Sequence, residues 1–287
     1  MKNFSINAYA KINLYLDVLS KRQDGYHNIC SVVSLISLHD SLHFQEKDQG
    51  YSVLVNGVNV PENKENLVYK LLSLLHKSGI IKHGLDVFID KQIPVGAGLG
   101  GGSADVAFTL IAMNNEFSLA LSRSEMESIL LQIGMDCPLF LTRTGNAFIE
   151  GKGERITDIN VELPDWIIIL FPYGITTSAK TQYETLFNKR LTKNPPISTS
   201  FLTSYLKEKK NFNREWCYNK FEQVLIEEQP IVFSMLNFLL KGGAERAQMT
   251  GTGSAVFGFF SSLSKATSIL KKAKQFKFWA YLTKSIR

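Results

Sequence analysis

The sequence is poor in cysteine. Only Cys30, Cys137 and Cys217 occur in 287 residues, and no Cys-x-x-Cys pair is among them. An odd number at wide spacing excludes a disulfide framework and the usual cysteine metal clusters, and it fits a reducing cytoplasm. Long apolar runs are also missing. The longest aliphatic and aromatic stretch, Trp166 to Phe171, falls far below the roughly 20 residues that span a bilayer. Met1-Lys2-Asn3-Phe4-Ser5 leads into an alternating pattern and not a signal-peptide core, so no membrane partner is expected. Repeats and low-complexity tracts are absent. The 32 basic residues exceed the 26 acidic ones, a net charge of +6, but they are scattered. Only Lys207-Glu208-Lys209-Lys210 and Lys271-Lys272-Ala273-Lys274 cluster, both as solvated helical faces. Without a basic stripe interleaved with aromatics, nucleic-acid binding is not expected. The positive excess suits a small phosphorylated partner.

Hydrophobic residues at 45% and charged residues at 20% are ordinary for a globular protein. The length allows one large or two ordinary domains. Phe4, Ile6 and Ala8, then Ile12, Leu14, Leu16 and Val18, read as the core faces of two strands or one bent strand, with Lys11, Asn13, Tyr15 and Asp17 on the opposite face. Lys21 to Gly25 reads as a turn, and Ser31 to Leu42 as a strand. Asn66 opens a helix with Leu67, Leu71, Leu74 and Leu75 on one side. Leu85, Val87 and Ile89 form a strand. Ser122-Arg123-Ser124-Glu125 matches a capping box for a helix that stops at Gly134. Strands are expected at Ala147–Ile149, Trp166–Phe171, Ala255–Phe260 and Phe276–Leu282. A helix is expected through Ala266, Ile269, Leu270 and Ala273, and a Lys-Asn-Pro-Pro loop at 193–196. Strands and helices without regular βαβ alternation indicate an α+β protein. A break near residue 160 gives expected domains of 1–160 and 161–287.

Glycine, in contrast to cysteine, is concentrated. Residues 93–105 hold Gly96, Gly98, Gly100, Gly101 and Gly102, and run into the helical pattern Ala104, Ala107, Phe108, Ile111. Leu99 to Ala104 offer main-chain N–H groups with little side chain in the way, and the following helix adds its unsatisfied first-turn donors and positive dipole end. This suits a phosphate grip. No Gly-Lys-Ser/Thr follows, which excludes a Walker A motif, and the setting fits a dinucleotide fingerprint poorly. Four weaker features accompany it. Gly251-Thr252-Gly253-Ser254 reads as a second phosphate approach or a hairpin. Asp136, in Gly134-Met135-Asp136-Cys137-Pro138, reads as a fixed acid or a helix-end cap. Lys11 and Asn13 share one strand face, where a lysine is usually only solvated. Asp24-Gly25-Tyr26-His27 is a turn presenting an aromatic and an imidazole.

The order of these pieces resembles the small-molecule kinase superfamily that includes galactokinase, homoserine kinase, mevalonate kinase and phosphomevalonate kinase. Ala10-Lys11-Ile12-Asn13-Leu14 comes first, then Asp24-Gly25-Tyr26-His27, then the glycine run Pro94 to Asp105. Gly134 to Pro138 and Met249 to Gly258 follow. Residues 8–42, 63–115, 130–156 and 245–260 carry the likeness most clearly. Gly101 and Gly102, where mevalonate kinases usually carry serines, are similar to the branch that acts on a cytidyl-linked methylerythritol. The resemblance implies a two-domain fold, with an N-terminal domain like the second domain of ribosomal protein S5, a C-terminal ferredoxin-like sandwich and an active site in the cleft between them.

It also implies ATP-dependent phosphorylation of a tertiary hydroxyl. Asp136 would be the base and Lys11 its catalytic partner. Pro94, Val95, Gly96, Ala97, Gly98, Leu99, Gly100, Gly101, Gly102, Ser103 and Ala104 would hold the ATP phosphates, with Asn66 on the nucleotide side. Tyr26 and Tyr183 would sandwich cytosine, His27 would bond the base edge and Asn13 would meet the diol or phosphate. Mg²⁺ is implied by ATP chemistry, with Ser103 or Asp105, or phosphates and water alone, to hold it. The alternatives are a superfamily kinase for mevalonate, homoserine or a sugar, which lack a base to stack, and a nucleotide-binding regulator without catalysis, against which Lys11 and Asp136 both argue. A monomer and a weak homodimer fit the sequence equally.

Overall fold

Alternation at the N-terminus produces one long strand, β1 (Asn3–Lys21), and not two. The strand β2 (His27–Lys47) follows across the expected turn, where Arg22 N–H donates to the Tyr26 carbonyl at 2.8 Å. This computed structural model describes residues 1–57, 62–175, 178–188, 194–208, 212–276 and 278–286. Lys193 and Lys209–Lys210, placed by the sequence in a loop and a charged cluster, lie outside them. The chain packs as two compact units. Unit 1 comprises Met1–Ala10, Leu38–Ile93 and Gly100–Leu141, and unit 2 comprises Lys11–Ser37, Pro94–Leu99 and Thr142–Arg287.

In unit 1, β3 (Tyr51–Asn56) runs parallel to β4 (Gly84–Asp90), and β4 pairs antiparallel with Ser41–Lys47 of β2. Between β3 and β4 lies α1 (Leu67–Lys77), where Asn66 is the N-cap and its side chain accepts from Val68 N–H. Leu71, Leu72 and Leu75 of α1 are buried at helical spacing, and α1 packs on α2 (Gly101–Glu116). The helix α3 (Arg123–Leu131) begins with the expected capping box, with Ser122 and Glu125 satisfying each other's backbone N–H groups, an arrangement that contributes about 1 kcal/mol.

In unit 2, Ile29–Ser34 of β2 pair antiparallel with β5 (Asn146–Gly151), which pairs with β6 (Arg155–Asp158). A second sheet is built from β7 (Trp166–Pro172) and three later strands. Between them lie α4 (Ala179–Asn188), α5 (Thr199–Lys207), the two-residue β8 (Tyr218–Asn219), α6 (Lys220–Glu228) and α7 (Pro230–Lys241). Then come β9 (Arg246–Met249), β10 (Val256–Phe260), α8 (Leu263–Gln275) and β11 (Phe278–Thr283). The order β11-β7-β10-β9, antiparallel throughout, is the ferredoxin-like arrangement. The continuous apolar run Ile167–Leu170 is the reason β7 sits inside this sheet. Phe221 of α6, Leu239 of α7 and Ile269 of α8 join Ile168 and Leu170 in one core cluster. Full burial of a side chain such as Phe221 is worth about 1.5–3 kcal/mol. Mixed strands and helices in two sheets bear out the α+β expectation.

Candidate active site

The polar face of β1 is not a solvated one. Lys11 is 6% exposed and Asn13 also 6%, so the reading of Lys11 as a plain surface lysine fails. Burying an ammonium requires oxygen partners, and unit 2 supplies them from its part of the glycine loop, Pro94–Leu99. Lys11 Nζ donates to the Gly98 carbonyl at 2.7 Å and to Asn13 Oδ1 at 2.5 Å, while Lys11 N–H donates to the Leu99 carbonyl at 3.0 Å. Asn13 Nδ2 in turn donates to Ser31 Oγ at 2.9 Å. The lysine and the glycine loop are therefore one hydrogen-bonded object.

The second glycine segment is the hairpin that the sequence offered, joining antiparallel β9 and β10, and it also joins the same object. Thr250 Oγ1 accepts from Asn13 N–H at 3.0 Å and lies 3.3 Å from both the Gly98 carbonyl and Asn13 Oδ1. Gln248 Nε2 donates to the Asn13 and Leu14 carbonyls, and Ala255 N–H to the Ala97 carbonyl. Glycine is required at the crossing. Gly98 has φ +78°, and a Cβ there would overlap the Thr250 carbonyl; a Cβ on Gly251 would lie 2.9 Å from the Gly98 carbonyl and 3.2 Å from Lys11 Nζ.

The remaining loop residues, Gly100 to Ala104, belong to unit 1. Gly100, in the left-handed conformation, caps α2, and Ala104 N–H closes the first turn on its carbonyl. Gly101, Gly102 and Ser103 thus occupy the helix start, where backbone donors lack helical partners. A buried cation stands behind this turn. Lys91 Nζ is bonded to Asp40 Oδ2 and to Asp105 Oδ2, the latter at 2.8 Å, and Asp40 Oδ1 accepts from Gln92 and Ile93 N–H. Burial pushes the Asp105 carboxyl up, with Lys91 opposing and Asp40 adding to it. One oxygen of Asp105, Oδ2, is thereby engaged by Lys91. Ser103 lies against the Cys137 thiol, which burial pushes up to about 11. Asp136 is exposed, on the turn that precedes Cys137–Leu141. Cys137 N–H donates to the Gly134 carbonyl and fixes that turn.

Elsewhere in unit 2, the structure brings His27 and Tyr183 together. Their rings stack at 4.8 Å with planes 7° apart, and Tyr183 meets Phe221 edge-on. Tyr26 is exposed instead, with Lys152 Nζ 4.8 Å above its ring. The geometry thus pairs the expected edge-reading imidazole with one of the two expected aromatics. Lys152, Thr250, Asn219, Glu222, Lys91 and Asp40 were not singled out by sequence, and Asp105 only as a possible Mg²⁺ holder. Only Thr250 had a nearby signal, the glycines that follow it.

The description "GHMP kinases N terminal domain" fits residues 66–143 and "GHMP kinases C terminal" fits residues 205–277, so both halves of a GHMP kinase are represented in one chain. A homoserine kinase from Cytophaga hutchinsonii shares the fold, with TM-score 0.68 at 15% identity over 100% of this chain and 96% of that one. The 4-diphosphocytidyl-2-C-methyl-D-erythritol kinase of Clostridium tetani is 35% identical over 98% of this chain and 99% of its own length, and that of Alkaliphilus oremlandii is 35% identical over 99% and 97%. A crystal structure of 4-(cytidine 5'-diphospho)-2C-methyl-D-erythritol kinase superposes with TM-score 0.78 at 26% identity, covering 98% of this chain and 99% of that one. The chain belongs to the 4-diphosphocytidyl-2-C-methyl-D-erythritol kinase family of the GHMP kinases.

Proposed function

We propose that the chain transfers the γ-phosphoryl group of ATP to the 2-hydroxyl of 4-(cytidine 5'-diphospho)-2-C-methyl-D-erythritol, giving the 2-phosphate and ADP in the non-mevalonate route to isoprenoid precursors. The observation that carries this reading is the buried Lys11 ammonium bonded to the Gly98 carbonyl of the glycine loop. A cation held there is in place to offset charge on a phosphoryl group beside that loop. Phosphoryl transfer through a loose transition state depends on such positioning and charge, and little on covalent help.

In this reading the loop from Pro94 to Ala104 receives the ATP phosphates, with α2 directing its positive end at them. Asn66, fixed as the cap of α1, serves the nucleotide side. Asp136 accepts the hydroxyl proton, a role that its exposed position on a pinned turn supports. Asn13 meets the substrate's diol or phosphate, and Tyr26, His27 and Tyr183 receive cytosine. Mg²⁺ fits as a companion of the ATP phosphates. Among the described residues no group of three or more His, Cys, Asp or Glu could hold an ion, and magnesium commonly keeps waters and phosphate oxygens as ligands. The two family matches fall on either side of residue 160, which supports functional domains of 1–160 and 161–287. Three free buried cysteines support a cytoplasmic setting. Among the described residues no helix is long and apolar enough to cross a membrane.

The test is ADP release from ATP with the cytidyl compound, mevalonate and homoserine in parallel. Preference for the cytidyl compound is expected. Equal or better turnover of mevalonate or homoserine, or ATP binding without transfer, refutes the assignment.

A further inference from the structure

We propose that Asn219 and Glu222, at the start of α6, are positioning residues that hold the Thr250–Gly251 segment against Lys11 and the Gly98 carbonyl. The inference rests on the reading of Lys11 as the lysine that acts on the phosphoryl group. Residues three apart share one helix face, and here both side chains serve one target. Asn219 Nδ2 donates to the Met249 carbonyl at 2.8 Å and to the Gly251 carbonyl at 2.9 Å, while its Oδ1 caps α6 by accepting from Phe221 N–H at 2.9 Å. Glu222 Oε2 accepts from Met249 N–H at 2.8 Å. Met249 ends β9, the edge strand of its sheet. Peptide groups on the open side of an edge strand normally face solvent. Here two side chains take them up.

The grip is transmitted through short links. Thr250, fully buried, follows Met249 directly, and its hydroxyl contacts Asn13 N–H and the Gly98 carbonyl. The same Gly98 carbonyl and the Asn13 amide oxygen receive the Lys11 ammonium. Gly251 passes close enough that a side chain would press on both Gly98 and Lys11. Asn219 is 4% exposed with both Nδ2 protons and its oxygen engaged. A carboxylate in its place would keep the Phe221 N–H bond but turn an oxygen without a proton toward two carbonyls.

The discriminating variant is Asn219→Asp, which keeps the cap oxygen and removes both donors. Hydrogen exchange of the peptide spanning residues 250–256 is expected to quicken about tenfold or more, as loss of protection in a local opening does. In the same variant kcat is expected to fall about tenfold or more while KM for ATP changes less than about threefold. Glu222→Gln, which keeps an acceptor for Met249 N–H, should retain kcat within about threefold, and Glu222→Ala should not. In a Lys11→Met background, Asn219→Asp should slow single-turnover transfer by less than about twofold, because the lysine it positions is gone.

Unchanged exchange in Asn219→Asp overturns the proposal, as do quicker exchange with unchanged kcat and full multiplication of the two defects. Should Asn219→Asp not fold, Thr250→Val removes the connecting hydroxyl and is judged by the same exchange and kcat criteria. Failure of the kinase reading would show separately, as wild-type protein that forms no ADP with the cytidyl compound. The exchange measurement still decides the clamp in that case.

Discussion

The imidazole of His27 lies flat on the ring of Tyr183, with centroids 4.8 Å apart and planes 7° from parallel. On the proposed reading, a stack of two rings already in place gives an incoming pyrimidine a preformed aromatic edge. Removing Tyr183 takes away both the stack and the wall behind it. Tyr183→Ala should raise KM for the cytidyl substrate about tenfold, the worth of one to one and a half kcal/mol of aromatic contact, and leave KM for ATP within about twofold. Steady-state kinetics with each substrate varied in turn checks this, and equal changes in both would remove Tyr183 from the base site.

The same imidazole has a defined acid response. Burial, followed by the charge of Lys21, holds His27 below its ordinary value. A depressed value means that the unfolded chain binds the proton more readily. The stability His27 contributes is therefore complete above about pH 6.5 and is lost as pH falls from there through the folded-state value. The melting temperature of the wild type should drop more steeply below pH 6.5 than that of His27→Gln. A direct titration of His27 by NMR should give a midpoint below 6.5.

The proposed reading gives Asp136 and Lys11 to chemistry and not to packing, and the exposure of Asp136 makes the distinction measurable. Asp136→Asn should lose about 100-fold or more in kcat while retaining ATP affinity and melting temperature, as general-base removal does. Lys11→Met should lose a comparable factor. It should also lose some stability, because the Gly98 carbonyl and Asn13 amide oxygen lose a buried donor. Kinetics paired with thermal melts separates the two residues; an active Asp136→Asn would end its assignment.

Lys91 has the opposite signature. It is a cation between Asp40 and Asp105, with all three side chains buried. Lys91→Met would leave two buried carboxyls facing each other, a defect that costs about 3–5 kcal/mol. Without the opposing ammonium, burial raises the Asp105 carboxyl further, so the penalty applies where it must ionise and shrinks as acid protonates it. Urea unfolding at pH 7.5 and pH 5 should show a larger deficit relative to wild type at the higher pH.

What could be read in the sequence was local. The Ser122–Glu125 capping box, the apolar run of β7 and the Asn66 cap each depend on residues within a few positions, so composition and spacing expose them. The second layer of the site does not work that way. Asn219 acts on Met249 and Gly251, 30 and 32 positions away, and Lys91 reaches back 51 positions to Asp40. An asparagine before a helix reads as an N-cap, which Asn219 also is, and nothing in its spacing reveals the two further bonds. Burial of Lys11 was hidden for a similar reason: strand alternation assigns faces, but what covers a face comes from elsewhere in the chain.

The close of unit 2 sets a condition on synthesis. Leu35 N–H donates to the Gly145 carbonyl, Ile286 N–H donates to the Leu35 carbonyl and Ser37 N–H to that of Lys284. Strand residues made among the first forty therefore receive some of their partners only when residues near 286 have been added. On the ribosome, β2 can pair with β4 once Asp90 has emerged and with β5 once Gly151 has, whereas Tyr15 and Leu16 wait for β8 and the stretch Leu35–Ser37 waits for Lys284 and Ile286. The nascent protein carries that short open stretch for the interval, and its yield in a cell should depend on how fast translation reaches Ile286.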